Sequence, residues 1–154
     1  MKKPKSTEIE IINKQEAMPI DREQLQRTVA YILRRFRVED GSVSIAVVDN
    51  DCMRELKRRY YGEEMITDVL SFDLRDEGET EQRCDCEIVV NAEQAGTVAQ
   101  KRSSEPEGEL NLYIVHGLLH QLGYDDQEPK EAEVMHAKED ELLNELGFGK
   151  VFGG

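Results

Sequence analysis

The sequence predicts a single α+β domain, one roughly four-stranded mixed sheet packed with about five helices, and two observations carry that reading. Segments that alternate apolar and polar residues are interleaved with stretches whose apolar residues recur every three or four positions. The two kinds do not alternate strictly, as a doubly wound parallel sheet would require. The length of 154 residues suits one hydrophobic core, with an ordered body expected over about 8–147 of a domain spanning 1–154. No internal repeat or low-complexity tract divides it.

Thr7 to Ile12 (T-E-I-E-I-I) alternates as a half-buried strand does, and Asn13 marks its exit. Asp21 suits a helix N-cap, after which Leu25, Val29, Ile32, Leu33 and Phe36 recur at helical spacing to about Arg37. Gly41 breaks the pattern, and Ser42 to Val48 is the second strand, rich in β-branched residues. Asp49 is expected to cap a short helix over Asp51 to Tyr60. In Thr67 to Leu74, the third strand, Val69, Ser71 and Asp73 alternate with Leu70, Phe72 and Leu74. An acidic loop follows over Asp76 to Gln82; it and the tails are expected to be flexible. Cys86 to Val90 is a short fourth strand, and Asn91 caps a helix through about Gln100.

Glu105 to Glu109, with Pro106, opens a buried helix in which Leu110, Tyr113, Ile114, Gly117, Leu118 and Gln121 share a face, and which stops near Gly123. Pro129 to Leu146 is the closing amphipathic helix. Its inner face is predicted to hold Ala132, Met135, His136, Glu139, Leu142, Leu143 and Leu146, with Gly147 behind it.

Composition excludes several classes of function. No apolar run is long enough to span a bilayer, and the basic start Met1 to Ser6 lacks the apolar core of a signal peptide, so a cytoplasmic protein without a membrane partner is expected. A net charge of −13 disfavours charge-driven binding to phosphates; no DNA partner is expected, and an RNA would need a local basic patch or a metal to approach. The cysteines, Cys52, Cys84 and Cys86, are odd in number and lack the spacing of a zinc knuckle, which reads as reduced thiols. Cys84 and Cys86 fall two apart, as same-face positions of one strand do, which leaves a metal role for that pair open.

The segment His116-Gly-Leu-Leu-His120-Gln-Leu-Gly123-Tyr-Asp-Asp126 carries chemistry. Imidazoles four residues apart lie on one helical face, about 6 Å apart at Cβ, within reach of one ion. Gly123 can turn the chain so that Asp126 supplies a third donor, making a three-ligand site of the kind zinc accepts. The spacing is that of the metzincin pattern H-E-x-x-H-x-x-G-x-x-H, a zincin-like metal helix, with Gly117 in place of the Glu and Asp126 in place of the third His. Two core histidines on a buried helix are the plain alternative. Asp125 is a rival third ligand, and His136 on the closing helix is a further candidate. Such a site permits hydrolysis. Gly117 cannot act as the general base that zincin proteases take from that position, which argues against peptide cleavage.

These residues resemble a family. His116 to Asp126 is similar to the YbeY signature H-G-x-L-H-L-x-G-Y-D-H, departing at Gln121 and Asp126. Thr67 to Phe72 is similar to its P-T-D-V-L-S-F strand, with Ile66 in place of Pro, and Glu87 to Val90 to its G-D/E-I-V-I segment, with Cys86 in place of Gly. The resemblance spans about Glu8 to Gly147 and implies a metal-dependent endoribonuclease of 16S ribosomal RNA maturation and ribosome quality control. It implies one Zn2+ per chain, or another divalent transition metal, on His116, His120 and Asp126, and ribosomal RNA and the small ribosomal subunit as partners. His116 and His120 would then serve catalysis as well as ligation. The family Arg that precedes the T-D-V-L-S-F strand aligns with Tyr61; Arg58 and Arg59 lie just upstream, and Arg59 is the candidate to replace it, a solvated helix face being the alternative. Arg34, Arg35 and Arg37 read as surface charge, while Asp68, Ser71 and Tyr124 are candidates for contacts near the metal. A ribosome-associated metal-binding protein with little nuclease activity is the second reading; metalloprotease activity is the third.

Overall fold

A computed structural model describes residues 6–76 and 83–149. In chain order it contains β1 (Thr7–Asn13), α1 (Arg22–Arg35), β2 (Asp40–Val48), α2 (Asn50–Tyr61), β3 (Val69–Asp73), β4 (Arg83–Asn91), α3 (Ala92–Arg102), α4 (Pro106–Gln121) and α5 (Pro129–Glu145). The strands form one sheet in the order β1-β2-β4-β3, parallel except where β3 meets β4. This is the expected four-stranded mixed sheet with five helices. Among the described residues, no helix is long and apolar enough to cross a membrane.

Three helices start where the sequence placed a cap. Asp21 accepts from the Gln24 amide at 3.2 Å, Asp49 from Cys52 at 3.0 Å and Asn91 from Gln94 at 3.1 Å. Each bond satisfies an amide that has no partner within its helix, worth about 1 kcal/mol.

The sheet is covered on both faces, unequally. Val43, Ile45 and Val47 of β2 and Cys86, Ile88 and Val90 of β4 point into the main core, beneath α1, α4 and α5. Ala46, Val48, Leu70 and Val89 point the other way, onto Met53 of α2. At the centre of the main core, α4 is buried from Gly108 to Leu119, interrupted only at His116. Burial of Leu110, Ile114, Leu118 and Leu119 contributes roughly 1.5–3 kcal/mol per side chain, which makes α4 a fixed post for what it carries.

The structure corrects some boundaries. Gly41 does not end a pattern: it lies inside β2 with φ +134°, and a Cβ there would sit 1.9 Å from the Cys84 carbonyl oxygen. The glycine is what lets β2 and β4 close up at this rung. β4 begins at Arg83, three residues before the expected start, because its polar residues are paired rather than solvated. Arg83 bonds Asp40 at 2.9 Å and Asp85 at 2.5 Å, and Ser42 donates to Asp85 at 3.1 Å. β3 is shorter than expected, covering Val69–Asp73, because its antiparallel pairing with β4 runs over those residues alone. The expected loop over Asp76 to Gln82 lies, beyond Asp76, outside the described residues, as do residues 1–5 and 150–154 of the tails.

Gly41→Ala is expected to lower stability by about 3 kcal/mol or more, since it combines a left-handed backbone with a backbone clash. The midpoint of a urea unfolding curve measures it; an unchanged midpoint would contradict the close approach of the two strands.

Candidate metal centre

His116 and His120 project from the last turns of α4, and the chain then reverses at Gly123, φ +104°. The Tyr124 amide donates to the Leu119 carbonyl at 2.9 Å and the Gly123 amide to the His120 carbonyl at 3.2 Å, the pairing of a Schellman C-cap. That turn brings two groups back to the helix. One is the Tyr124 carbonyl, 3.1 Å from His120 Nδ1; the other is Asp126.

The hydrogen bonds fix which ring nitrogens carry protons. A carbonyl oxygen only accepts, so His120 Nδ1 is the protonated nitrogen. His116 Nδ1 lies 3.0 Å from the carboxylate of Glu139, on α5, and is protonated for the same reason. When both rings are neutral, their Nε2 atoms present lone pairs, and these atoms face each other at 3.1 Å. Asp126 adds its carboxylate, with Oδ2 3.5 Å from His116 Nε2 and Oδ1 3.7 Å from His120 Nε2.

Three such electron-pair donors repel unless a proton or a cation lies among them. Ligands at about 2.0–2.1 Å from a tetrahedral ion stand about 3.3 Å apart, close to the separations found here. The donor set therefore fits a divalent ion. Among the described residues this is the group whose ligand atoms converge, all lying within 4.8 Å of one another.

Burial pulls the pKa of His116 down, but the hydrogen bond and charge of Glu139, reinforced by the charges of Asp126 and Asp68, outweigh it and leave the imidazole more basic than usual. A proton and a cation thus compete for the same nitrogen. The centre opens onto a cavity of about 260 Å³ lined by Asp68, Val69, Leu112, Tyr113, His116, Asp126, His136 and Glu139.

The other candidates divide. Asp68 and His136 lie in the cavity wall. Asp125 is engaged by the turn itself, accepting from the Asp126 amide at 2.8 Å, and is outside the donor group. Tyr124 contributes its carbonyl, while its ring packs edge-on against Phe36 at 6.0 Å. Ser71 sits half-buried on β3, outside the cavity lining.

Arg59 lies on α2, 61% exposed, 3.7 Å from Glu55 and not in the cavity lining; Arg58 pairs with the same Glu55. Tyr61 is 50% exposed beneath the Lys57 ammonium. Arg34 and Arg37 line a different cavity, and Arg35 pairs with Glu141 and Glu145. The buried thiols of Cys84 and Cys86 stand 3.8 Å apart, outside the converging group.

Sequence reading missed the role of Glu139. The signal was present as a carboxylate on the inner face of α5, between Met135 and Leu142; such a position calls for a buried partner.

Three comparisons bear on this geometry. The family model described as Endoribonuclease YbeY matches residues 10–147. The Endoribonuclease YbeY of Lysinibacillus sphaericus is 38% identical over 119 residues, 72% of this chain and 76% of that one. That of Carboxydothermus hydrogenoformans is 35% identical, covering 90% and 97% of the two chains. Among solved structures, the solution structure of TM1509 from Thermotoga maritima superposes with a TM-score of 0.64 at 26% identity, over 90% of this chain and 88% of that one.

Glu139→Ala is expected to weaken zinc binding by roughly 10–100-fold, the usual cost of losing the group that orients a ligating histidine. Glu139→Gln, which still accepts from His116, should lose less. Competition against a chromophoric chelator measures both, and equal affinity of Glu139→Ala and wild type would rule out the orienting role.

Proposed function

The chain belongs to the YbeY endoribonuclease family, and from that premise we propose that it is a zinc-dependent hydrolase cutting single-stranded ribosomal RNA. Its place would be the cytoplasm, in maturation of 16S ribosomal RNA and quality control of the small ribosomal subunit. The observation that carries the reading is the convergence of two imidazole Nε2 atoms and one carboxylate on a single point beside an open cavity.

His116 and His120 would hold the ion through Nε2 and Asp126 through its carboxylate. One ion per chain would supply Lewis acidity and a lowered pKa for water, the chemistry that phosphodiester hydrolysis requires. The chain's own residues prepare for it. Glu139 and the Tyr124 carbonyl keep the protons on Nδ1 and hold both rings in place, so ligation costs little reorganisation. Val69 and Leu112 give the cavity an apolar wall, while Asp126, 38% exposed at its side chain, marks the open edge where a strand can approach. Arg59 enters the reading as a cation on the α2 surface that would have to leave Glu55 to reach a phosphate.

A second reading, a ribosome-associated metal-binding protein with weak nuclease activity, draws support from Tyr61, which stands where the family resemblance puts an Arg, and from the absence of any Lys or Arg among the described residues of the cavity lining. Protease activity has no such support. At Gly117, where a zincin protease needs its Glu, a Cβ would meet Ile88 Cγ2 at 2.7 Å; that face of α4 packs against the sheet, which leaves no room for a Glu side chain.

Purified wild type is expected to carry about one zinc per chain and to cleave a structured ribosomal RNA fragment. His120→Ala should lose the metal and lower cleavage by more than the roughly 10–100-fold that loss of an outer partner costs. Metal analysis beside a cleavage assay decides: wild type without metal in zinc-supplied medium would sink the site, and metal without cleavage would favour the binding protein.

A further inference from the structure

The cavity beside the metal centre is acidic, which poses a problem for any RNA entering it. Among the described residues that line it, three are carboxylates, Asp68, Asp126 and Glu139, and none is Lys or Arg. The two positive charges of a divalent ion would be met by Asp126 and Glu139, leaving Asp68 uncompensated. A phosphodiester brought to that point would face a net negative wall. Apart from the candidate ligand His116, one described lining side chain can carry positive charge, and that is His136.

Its setting suits that task. His136 Nδ1 lies 2.8 Å from Glu139 Oε1, while the other oxygen of the same carboxylate holds His116 at 3.0 Å. Glu139 is 1% exposed, so its charge acts in a low-dielectric wall rather than in water. His136 keeps about a third of its side chain accessible, 32%, on the cavity side of that buried anion. It is outside the group of converging ligands. The groups facing it in the cavity are Glu139, Asp126, Asp68, His116 and Tyr113. Only carboxylates among them carry full charge when His116 serves as a neutral ligand.

We propose that His136, oriented by Glu139 and in its protonated form, is the substrate-binding cation of this cavity and donates a hydrogen bond to a non-bridging phosphate oxygen of the RNA. The inference rests on the nuclease reading for the identity of the strand, but it concerns binding and not the hydrolytic step. Glu139 then has two functions: one oxygen aligns a metal ligand and the other aligns the group that receives the phosphate. One buried side chain thereby sets the distance between ion and substrate anchor.

The test compares zinc-loaded wild type, His136→Gln and His136→Lys on a fluorescently labelled single-stranded ribosomal RNA fragment. Zinc content, anisotropy-measured affinity, and KM and kcat for cleavage are read on each. His136→Gln should keep its zinc, bind the RNA about 10–100-fold more weakly, as loss of one charge-assisted hydrogen bond implies, and raise KM with a smaller change in kcat. His136→Lys, which restores the charge without the ring, should recover most of the affinity.

Unchanged affinity and KM in His136→Gln would overturn the proposal, and so would loss of zinc, which would make His136 part of the metal's support. If wild type binds the RNA but does not cut it, the nuclease reading fails, while the affinity difference between wild type and His136→Gln still decides the role of His136. If wild type does not bind the RNA, both fall.

Discussion

A carboxylate that is almost wholly removed from water needs compensation worth several kcal/mol, and the pairing of Glu139 with His116 and His136 provides it. The rest of the site depends on that bond. It ties α5 to α4 across the core, fixes the tautomer of His116, and turns Nε2 rather than Nδ1 toward the cavity. Without it, the His116 ring would lose the acceptor that selects its tautomer. The hydrophobic residues on either side, Met135, Leu142 and Leu143, hold the backbone of α5 in place, so the carboxylate cannot withdraw to solvent.

The second half of the site is local. His120 takes its orientation from the Tyr124 carbonyl, which the Schellman turn at Gly123 places within reach. The two imidazoles are thus organised by different means, one by a partner helix and one by the end of their own helix. These two devices together hold the donor atoms in their converging arrangement. Such preorganisation keeps the energetic cost of binding low, because little conformational freedom remains to be lost.

The same division accounts for what could be read in the sequence. Features set by short-range geometry were legible: the caps at Asp21, Asp49 and Asn91, the buried character of α4, and the spacing that brings His116, His120 and Asp126 together. Features set by long-range contact were not. Gly41 reads as a break because nothing local reveals the Cys84 carbonyl against its Cα, and Arg83 and Asp85 fall outside the expected strand because their partners, Asp40 and Ser42, lie on another strand. Glu139 and His136 were visible as inner-face positions of α5, yet which element they would meet is a property of the tertiary fold. Arg59 shows the opposite limit. Its nearness in sequence to the expected strand suggested a role that its position on the outer face of α2 does not by itself supply.

Charge links the site to the rest of the surface. A protein of net charge −13 gains little from releasing counterions from RNA, so affinity must come from a few contacts made at short range. A carboxylate as third ligand would make that demand greater, since Asp126 would leave a divalent ion with one net charge where an all-imidazole set would leave two. The cavity answers within its own lining, by placing one ionisable imidazole on the free oxygen of the carboxylate that already serves the metal ligand. Attraction is then confined to the point where ion, imidazole and open edge meet, and the acidic exterior discourages a polyanion from binding elsewhere. For an endoribonuclease, a repulsive surface around one attractive site would be a source of selectivity.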